Sequence, residues 1–277
     1  MRLARALFIA AVCVAAASGA APAQEARKTA VVSFGLSGAQ DVFRSEATGA
    51  ASVVASRFGA DPVIVRYNTR KKHEARIEAL AATLEATGKR MQPSTDVLFL
   101  ILTSHGSPDG LEVSAGHSSA TLSPGKLGNM LDRVGMRYKV VVISACYSGV
   151  FINPLATADT LVITAADARH PSFGCEDRAK WTYFGDAFFN AALRHSASLR
   201  DAFNSARGII LKRELHNGFE PSNPQMAGGA NVEPLLVPRR WSACHCSRAS
   251  PPGGAWGGVA WPGRHSGGKL RVRMMAR

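Results

Sequence analysis

The chain has 277 residues, with 33 Lys and Arg against 20 Asp and Glu, a formal charge of +13. Hydrophobic residues at 46% and charged residues at 19% exclude wholesale disorder, and the length suits one large α/β domain. A charge of +13 points to nucleic acid or an anionic membrane only if it sits on the part that folds.

In chain order, Arg2 and Arg5 precede an apolar run from Ala6 to Ala17, and Ala21-Pro22-Ala23 follows. A basic start, a short apolar stretch and an A-x-A site predict a signal peptide over 1–23, hence an exported protein, periplasmic or secreted. The run is too short for a comfortable membrane span, and no stable span is expected once the signal is removed. Apolar runs then predict strands at Ala30 to Phe34, Pro62 to Tyr67, Val97 to Thr103, Lys139 to Ala145 and Thr160 to Ala165. Helical spacing alternates with them at Asp41 to Phe58, His73 to Gly88, Ser123 to Val134, Tyr183 to Arg194 and Ser198 to Arg213. Ser123-Pro124 is a helix start, and Gly59 and Gly88 stand where C-caps belong. This alternation describes a mostly parallel sheet with helices on both faces, in one domain over 24–234.

From Leu235 to Arg277 the composition changes. Eight basic residues, no acid, eleven Gly or Pro and three of the four tryptophans fall there without periodicity. Residues 235–277 therefore read as a disordered tail with no assigned role, a basic arm for nucleic acid or membrane being the alternative. With both ends set aside, 23 basic residues remain against all 20 acids, so the folding part carries only +3. That argues against nucleic acid as a partner. Cys244-His245-Cys246 is too tightly spaced, with no second ligand pair, to read as a metal site. Cys146 and Cys175 are the two cysteines of the domain and make no disulfide framework.

Chemistry concentrates at the ends of the two most apolar strands. One runs into Thr103-Ser104-His105-Gly106, the other into Ser144-Ala145-Cys146-Tyr147. Ligands of open α/β sheets bind outside the carboxyl ends of strands, so adjacent parallel strands bring His105 and Cys146 to one crevice. A thiol attacks as thiolate, and a neighbouring imidazole takes its proton. The backbone N–H groups of Gly106 and Cys146 are the candidate oxyanion donors. His117, His170 and His195 read as surface residues, and Cys175 as structural.

A hydrophobic run into His-Gly and a second into Ala-Cys resembles the caspase-like (clan CD) cysteine peptidases. Ile163-Thr164-Ala165-Ala166-Asp167, Ser172-Phe173-Gly174-Cys175 and Thr182-Tyr183-Phe184-Gly185-Asp186 narrow the resemblance to the legumain-like family C13, and to its bacterial branch. The likeness spans roughly Val31 to Gln225. It implies a caspase-like three-layer α/β sandwich and a thiol endopeptidase with His105 as base and Cys146 as nucleophile. A thioester acyl-enzyme forms, no cofactor is needed, and the substrate is a peptide or protein. It also implies that Arg44, Ser172 and Asp186 line the pocket for the residue before the cleaved bond.

Three departures bear on that pocket. Ser144 stands two residues before Cys146, where legumains carry an acid, which puts asparagine specificity in doubt. The Asn that orients the histidine in legumains has no identical counterpart in Gln40-Asp41-Val42, leaving Asp41 as the candidate substitute. The large C-terminal prodomain of eukaryotic legumains has no match. Two rivals use the same residues or none: a transpeptidase in which an amine resolves the thioester, and a non-catalytic binding protein of the same fold.

Overall fold

The computed structural model describes residues 27–238. The expected signal peptide and all but the first residues of the expected tail, with Cys244 and Cys246, lie outside the described residues.

The elements run β1 (Thr29–Gly35), α1 (Asp41–Phe58), β2 (Val63–Tyr67), α2 (Ile77–Gly88) and β3 (Val97–Thr103). Three short strands follow, β4 (Gly106–Ser107), β5 (Gly110–Ala115) and β6 (Ser118–Leu122). Then come α3 (Pro124–Arg133), β7 (Tyr138–Ser144), a 3₁₀ turn (Ser148–Phe151), α4 (Ile152–Leu155) and β8 (Thr160–Thr164). The chain closes with α5 (Tyr183–Gly185) continuing as a π-helix (Asp186–Ala192), α6 (Leu199–His216), β9 (Gln225–Gly228) and a 3₁₀ turn (Glu233–Leu235).

Six strands form one sheet in the order β2-β1-β3-β7-β8-β9, parallel throughout except for the antiparallel edge β9. Side chains of a strand alternate between faces, so an unbroken apolar run fits a strand covered on both sides. In β3, Val97, Phe99 and Ile101 join a core with Ala50 and Val54 of α1, Phe184 and Phe188 of the α5 region, and Phe203 of α6. Leu98, Leu100 and Leu102 face the other way, onto Leu80 and Leu84 of α2 and Leu127 and Leu131 of α3. Every residue of β3 is buried. Each fully buried Leu or Phe contributes about 1.5–3 kcal/mol, so this central strand is the most heavily stabilised part of the sheet.

Helix ends follow local chemistry. The Ser123 hydroxyl accepts the Lys126 N–H at 3.3 Å with Pro124 in the first turn, and Ser198 caps α6 through the Asp201 N–H. Gly59 ends α1 at φ 63°. Gly88 is not a cap. It is the last residue of α2, and a Cβ there would lie 2.3 Å from the Val134 carbonyl oxygen.

Other expectations shift too. Helix α2 begins at Ile77 rather than His73, because residues 69–72 form a turn beneath an Asn68–His73 bridge. The β4-β5-β6 sheet has no counterpart among the expected elements. Its outermost strand is exposed over Ser118 to Thr121, so no alternation marks it. Leu236 is buried against the α5–α6 side of the sheet, so the domain extends past residue 234.

Candidate active site

In the register of β3 and β7, Thr103 lies opposite Ser144. His105 and Cys146 each come two residues later, so adjacent parallel strands deliver both at the same level beyond the sheet. The Ser104 N–H donates to the Ser144 carbonyl at 3.2 Å, extending the pairing. Gly106 then passes so close that a Cβ on it would lie 2.1 Å from the Cys146 carbonyl oxygen. Only glycine lets the histidine turn touch the cysteine turn.

Each reactive residue is held by a defined partner. His105 Nε2 is 2.7 Å from the Gln40 side-chain oxygen. An amide oxygen can only accept, so Nε2 carries a hydrogen, and in the neutral imidazole the lone pair is then on Nδ1. Phe43 packs edge-on against the imidazole, ring centroids 4.8 Å apart. Asp41, the expected substitute, is instead exposed and paired with Arg44 at 3.5 Å. The cause is helix geometry: Gln40 is the extended N-cap residue of α1, while Asp41 is already in the first turn.

Cys146 Sγ lies 3.3 Å from both the N–H and the carbonyl of Ser172. Burial pushes the thiol above its ordinary value, and the Ser172 N–H works against that rise. Burial therefore favours the thiol form of Cys146 over the thiolate. Tyr147 follows at φ 54°, a left-handed residue that turns the chain sharply and whose N–H donates to the His170 carbonyl at 3.0 Å. Ser148 Oγ donates to the Ala145 carbonyl and accepts the Ala166 N–H, tying the cysteine turn to the end of β8.

Among the described residues no group of three or more His, Cys, Asp or Glu converges to hold a metal ion. No helix among them is long and apolar enough to cross a membrane.

A family model for the peptidase C13 family matches residues 77–230, more than half the chain. The chain belongs to the peptidase C13 family. The crystal structure of caspase-1 from Spodoptera frugiperda is similar with a TM-score of 0.52 at 14% identity, over 73% of this chain and 87% of that one. That likeness carries the caspase-like fold. No curated protein sequence matches the chain. This C13 chain is accordingly a cysteine-type peptidase of caspase-like fold.

The remaining expected site residues do not gather into one pocket. Ser172 and Ser144 lie at the cysteine, Ser172 through its backbone and Ser144 buried beneath, its hydroxyl 3.1 Å from that of Thr182. Arg44 lines a cleft of about 530 Å³ beside Ala39, next to the Gln40 that holds His105. Asp186 lines a separate cleft of about 320 Å³ and is bound to Arg213 at 2.7 Å and Asn190 at 2.9 Å. Burial works to raise its carboxyl, but those partners outweigh it and hold it low.

Sequence reasoning passed over several residues that lie against these strand ends. Glu46 of α1 is fully buried directly beneath the strand ends. The Thr182 N–H donates to its Oε2 at 2.8 Å, and Gly185 has no room for a Cβ because that oxygen would lie 2.0 Å away. Burial raises the carboxyl, opposed by the Ser144, Thr182 and Thr103 side chains. A carboxyl thus lies near Ser144, but from α1 rather than from β7. Its sequence signal was a charge at helical spacing on the buried stripe Phe43, Ala47, Ala50. His170 is not an unpaired surface residue, since its Nδ1 is 2.8 Å from the Asp167 carboxylate. Burial pushes the Cys175 thiol up to about 12, reinforced by the nearby Cys146, Glu46 and Glu176.

Proposed function

We propose that this protein is an endopeptidase of legumain type, cleaving peptide bonds through a thioester on Cys146. His105 Nδ1 takes the proton from Cys146 Sγ as the sulfur attacks the peptide carbonyl. The N–H groups of Gly106 and Cys146 receive the developing oxyanion. The tetrahedral adduct collapses, the C–N bond breaks, and the proton on Nδ1 passes to the leaving amine. Water then gives its proton to Nδ1, attacks the thioester, and the acid product leaves as Cys146 recovers its hydrogen.

The observation that carries this reading is the β3–β7 register, which delivers His105 and Cys146 together from neighbouring strands. The raised thiol fits a mechanism in which the base acts during attack rather than one with a resting ion pair. Arg44, Ser144, Ser172 and Asp186 shape substrate choice in this reading, with Glu46 supplying the carboxyl that position 144 lacks. The enzyme acts after export, with residues 1–23 removed, so N-terminal sequencing of the secreted form finds Gln24 first.

The test is a peptide-library cleavage assay of the parent against Cys146→Ala and His105→Ala. Loss of turnover by roughly a thousandfold or more in both is the expected result for a residue pair acting as a unit. Turnover in Cys146→Ala equal to the parent removes the mechanism.

A further inference from the structure

A cleft of about 530 Å³ is bounded by the two segments that hold the reactive pair. One wall is Gly38 to Asp41, whose Gln40 binds His105. The opposite wall is Asp177 and Arg178, a few residues beyond the Ser172 backbone that binds Cys146. The cleft thus adjoins, along the chain, the segments that hold both His105 and Cys146. The floor is the turn carrying Arg70 and Lys71.

That turn is built rather than loose. Asn68 is fully buried, and its amide donates to the Leu36 and Ala75 carbonyls and accepts the Ala75 N–H. Thr69 Oγ1 accepts the N–H groups of Lys71 and Lys72, and the Thr69 N–H closes on the Lys72 carbonyl at 2.7 Å. The turn therefore presents its side chains from a fixed backbone.

Charge in the cleft is one-sided. Arg44, Arg70, Lys71 and Arg178 face Asp41 and Asp177. Both acids are already engaged, Asp41 with Arg44 at 3.5 Å and Asp177 with Arg70 at 3.7 Å. Lys71 and Arg178 have no ion pair among the described residues. Two of the net positive charges of a domain that carries only +3 are thus concentrated here, without an ion-pair partner among the described residues.

We propose that this cleft is a subsite for an acidic side chain of the substrate, an Asp or Glu flanking the cleaved bond, received by Lys71 and Arg178. It rests on the peptidase reading, because the substrate chain has to pass His105 and Cys146 to reach it. Arg178 offers a planar fork suited to a carboxylate and Lys71 a mobile point charge. Concave walls strengthen the attraction, while the solvent-exposed setting keeps it modest and salt-sensitive.

The experiment compares a peptide library with a matched library in which every Asp and Glu is replaced by Asn or Gln. Cleavage by the parent is read as kcat/KM, and binding to Cys146→Ala by fluorescence anisotropy. We expect acidic peptides to be favoured about fivefold at low salt, the ratio falling towards one near ~1 M salt. The ratio collapses in Lys71→Gln/Arg178→Gln and inverts in Lys71→Glu/Arg178→Glu. Parity between the libraries in the parent, or a preference that survives both double variants, overturns the subsite. Cleavage without acidic preference defeats the subsite alone. Absence of cleavage with salt-sensitive acidic binding that depends on Lys71 and Arg178 defeats the peptidase reading and leaves the subsite standing.

Discussion

At the scale of single residues, the site contains two thiols that burial separates in degree. Both Cys146 and Cys175 are raised, but Cys146 has the Ser172 N–H to offset the rise, whereas Cys175 is pushed up to about 12 with neighbouring negative charges adding to it. Thiolate is the species that alkylates. Iodoacetamide at pH 8 should therefore label Cys146 at least ~10 times faster than Cys175, with a rate that climbs through pH 9 rather than levelling off near neutrality. Peptide mapping by mass spectrometry checks both; equal labelling of the two cysteines counts against it. Glu46 gives a second prediction, in stability. Its folded carboxyl is raised above the ordinary 4.5, so between those values the folded chain holds a proton that the unfolded chain has lost. Stability from this group is present below 4.5 and declines as pH rises through the folded value. Glu46→Gln keeps an acceptor for the Thr182 N–H and has nothing to titrate. The melting temperature of Glu46→Gln relative to the parent should rise with pH across that window, by about 4 °C per pH unit. Asp186, held low despite its burial by Arg213 and Asn190, tilts the parent curve the opposite way. That slope is common to both proteins and cancels in the difference.

At the scale of elements, the proposed catalytic geometry depends on two strand ends and on what can pass between them. Gly106 is the narrowest point, where an added Cβ meets backbone, the Cys146 carbonyl oxygen at 2.1 Å. Backbone cannot swing aside as a flexible side chain can, so Gly106→Ala has to displace one turn or the other. The cost should be about 1–3 kcal/mol in stability, with kcat/KM down by roughly a hundredfold because the reactive groups move apart. Thermal melts and peptide cleavage on the same preparation separate the two effects. A variant with full activity means that the turns are not coupled there. These two strands were also the most legible part of the sequence, since an apolar run without a polar break marks a strand covered on both faces. The β4-β5-β6 hairpin sheet was not legible, because exposed Ser118 to Thr121 carry no alternation. The choice of Gln40 over Asp41 as the histidine's partner was equally hidden. Two adjacent polar residues at a helix start look alike until the cap fixes which one still has extended backbone. The Tyr183 to Arg194 helix was read in place, but not its switch to π geometry from Asp186. Phe184, Phe188 and Phe189 pack ring on ring there, and their spacing carries no signal for the switch.

At the scale of the whole molecule, the charge that first suggested nucleic acid is carried mainly outside the segment 24–234. The boundary of that segment has an energetic definition. Val232 and Leu236 are buried in the core beneath α6, and Leu235 packs against it. A cut after Pro234 removes both leucines and uncovers apolar surface on the α5–α6 side. A cut after Pro238 removes neither. Burying one Leu fully is worth about 1.5–3 kcal/mol, so truncation after Pro234 should lower the melting temperature by roughly 5 °C. Truncation after Pro238 should leave melting and peptide cleavage at parental values. If the chain also binds nucleic acid through its basic C-terminal residues, the same two cuts abolish that binding equally while differing in stability. Binding that survives the Pro238 cut must belong to the domain, whose Lys71 and Arg178 are then the first residues to neutralise. Identical melting of the two truncations would instead mean that the 3₁₀ turn at Glu233–Leu235 closes no part of the core.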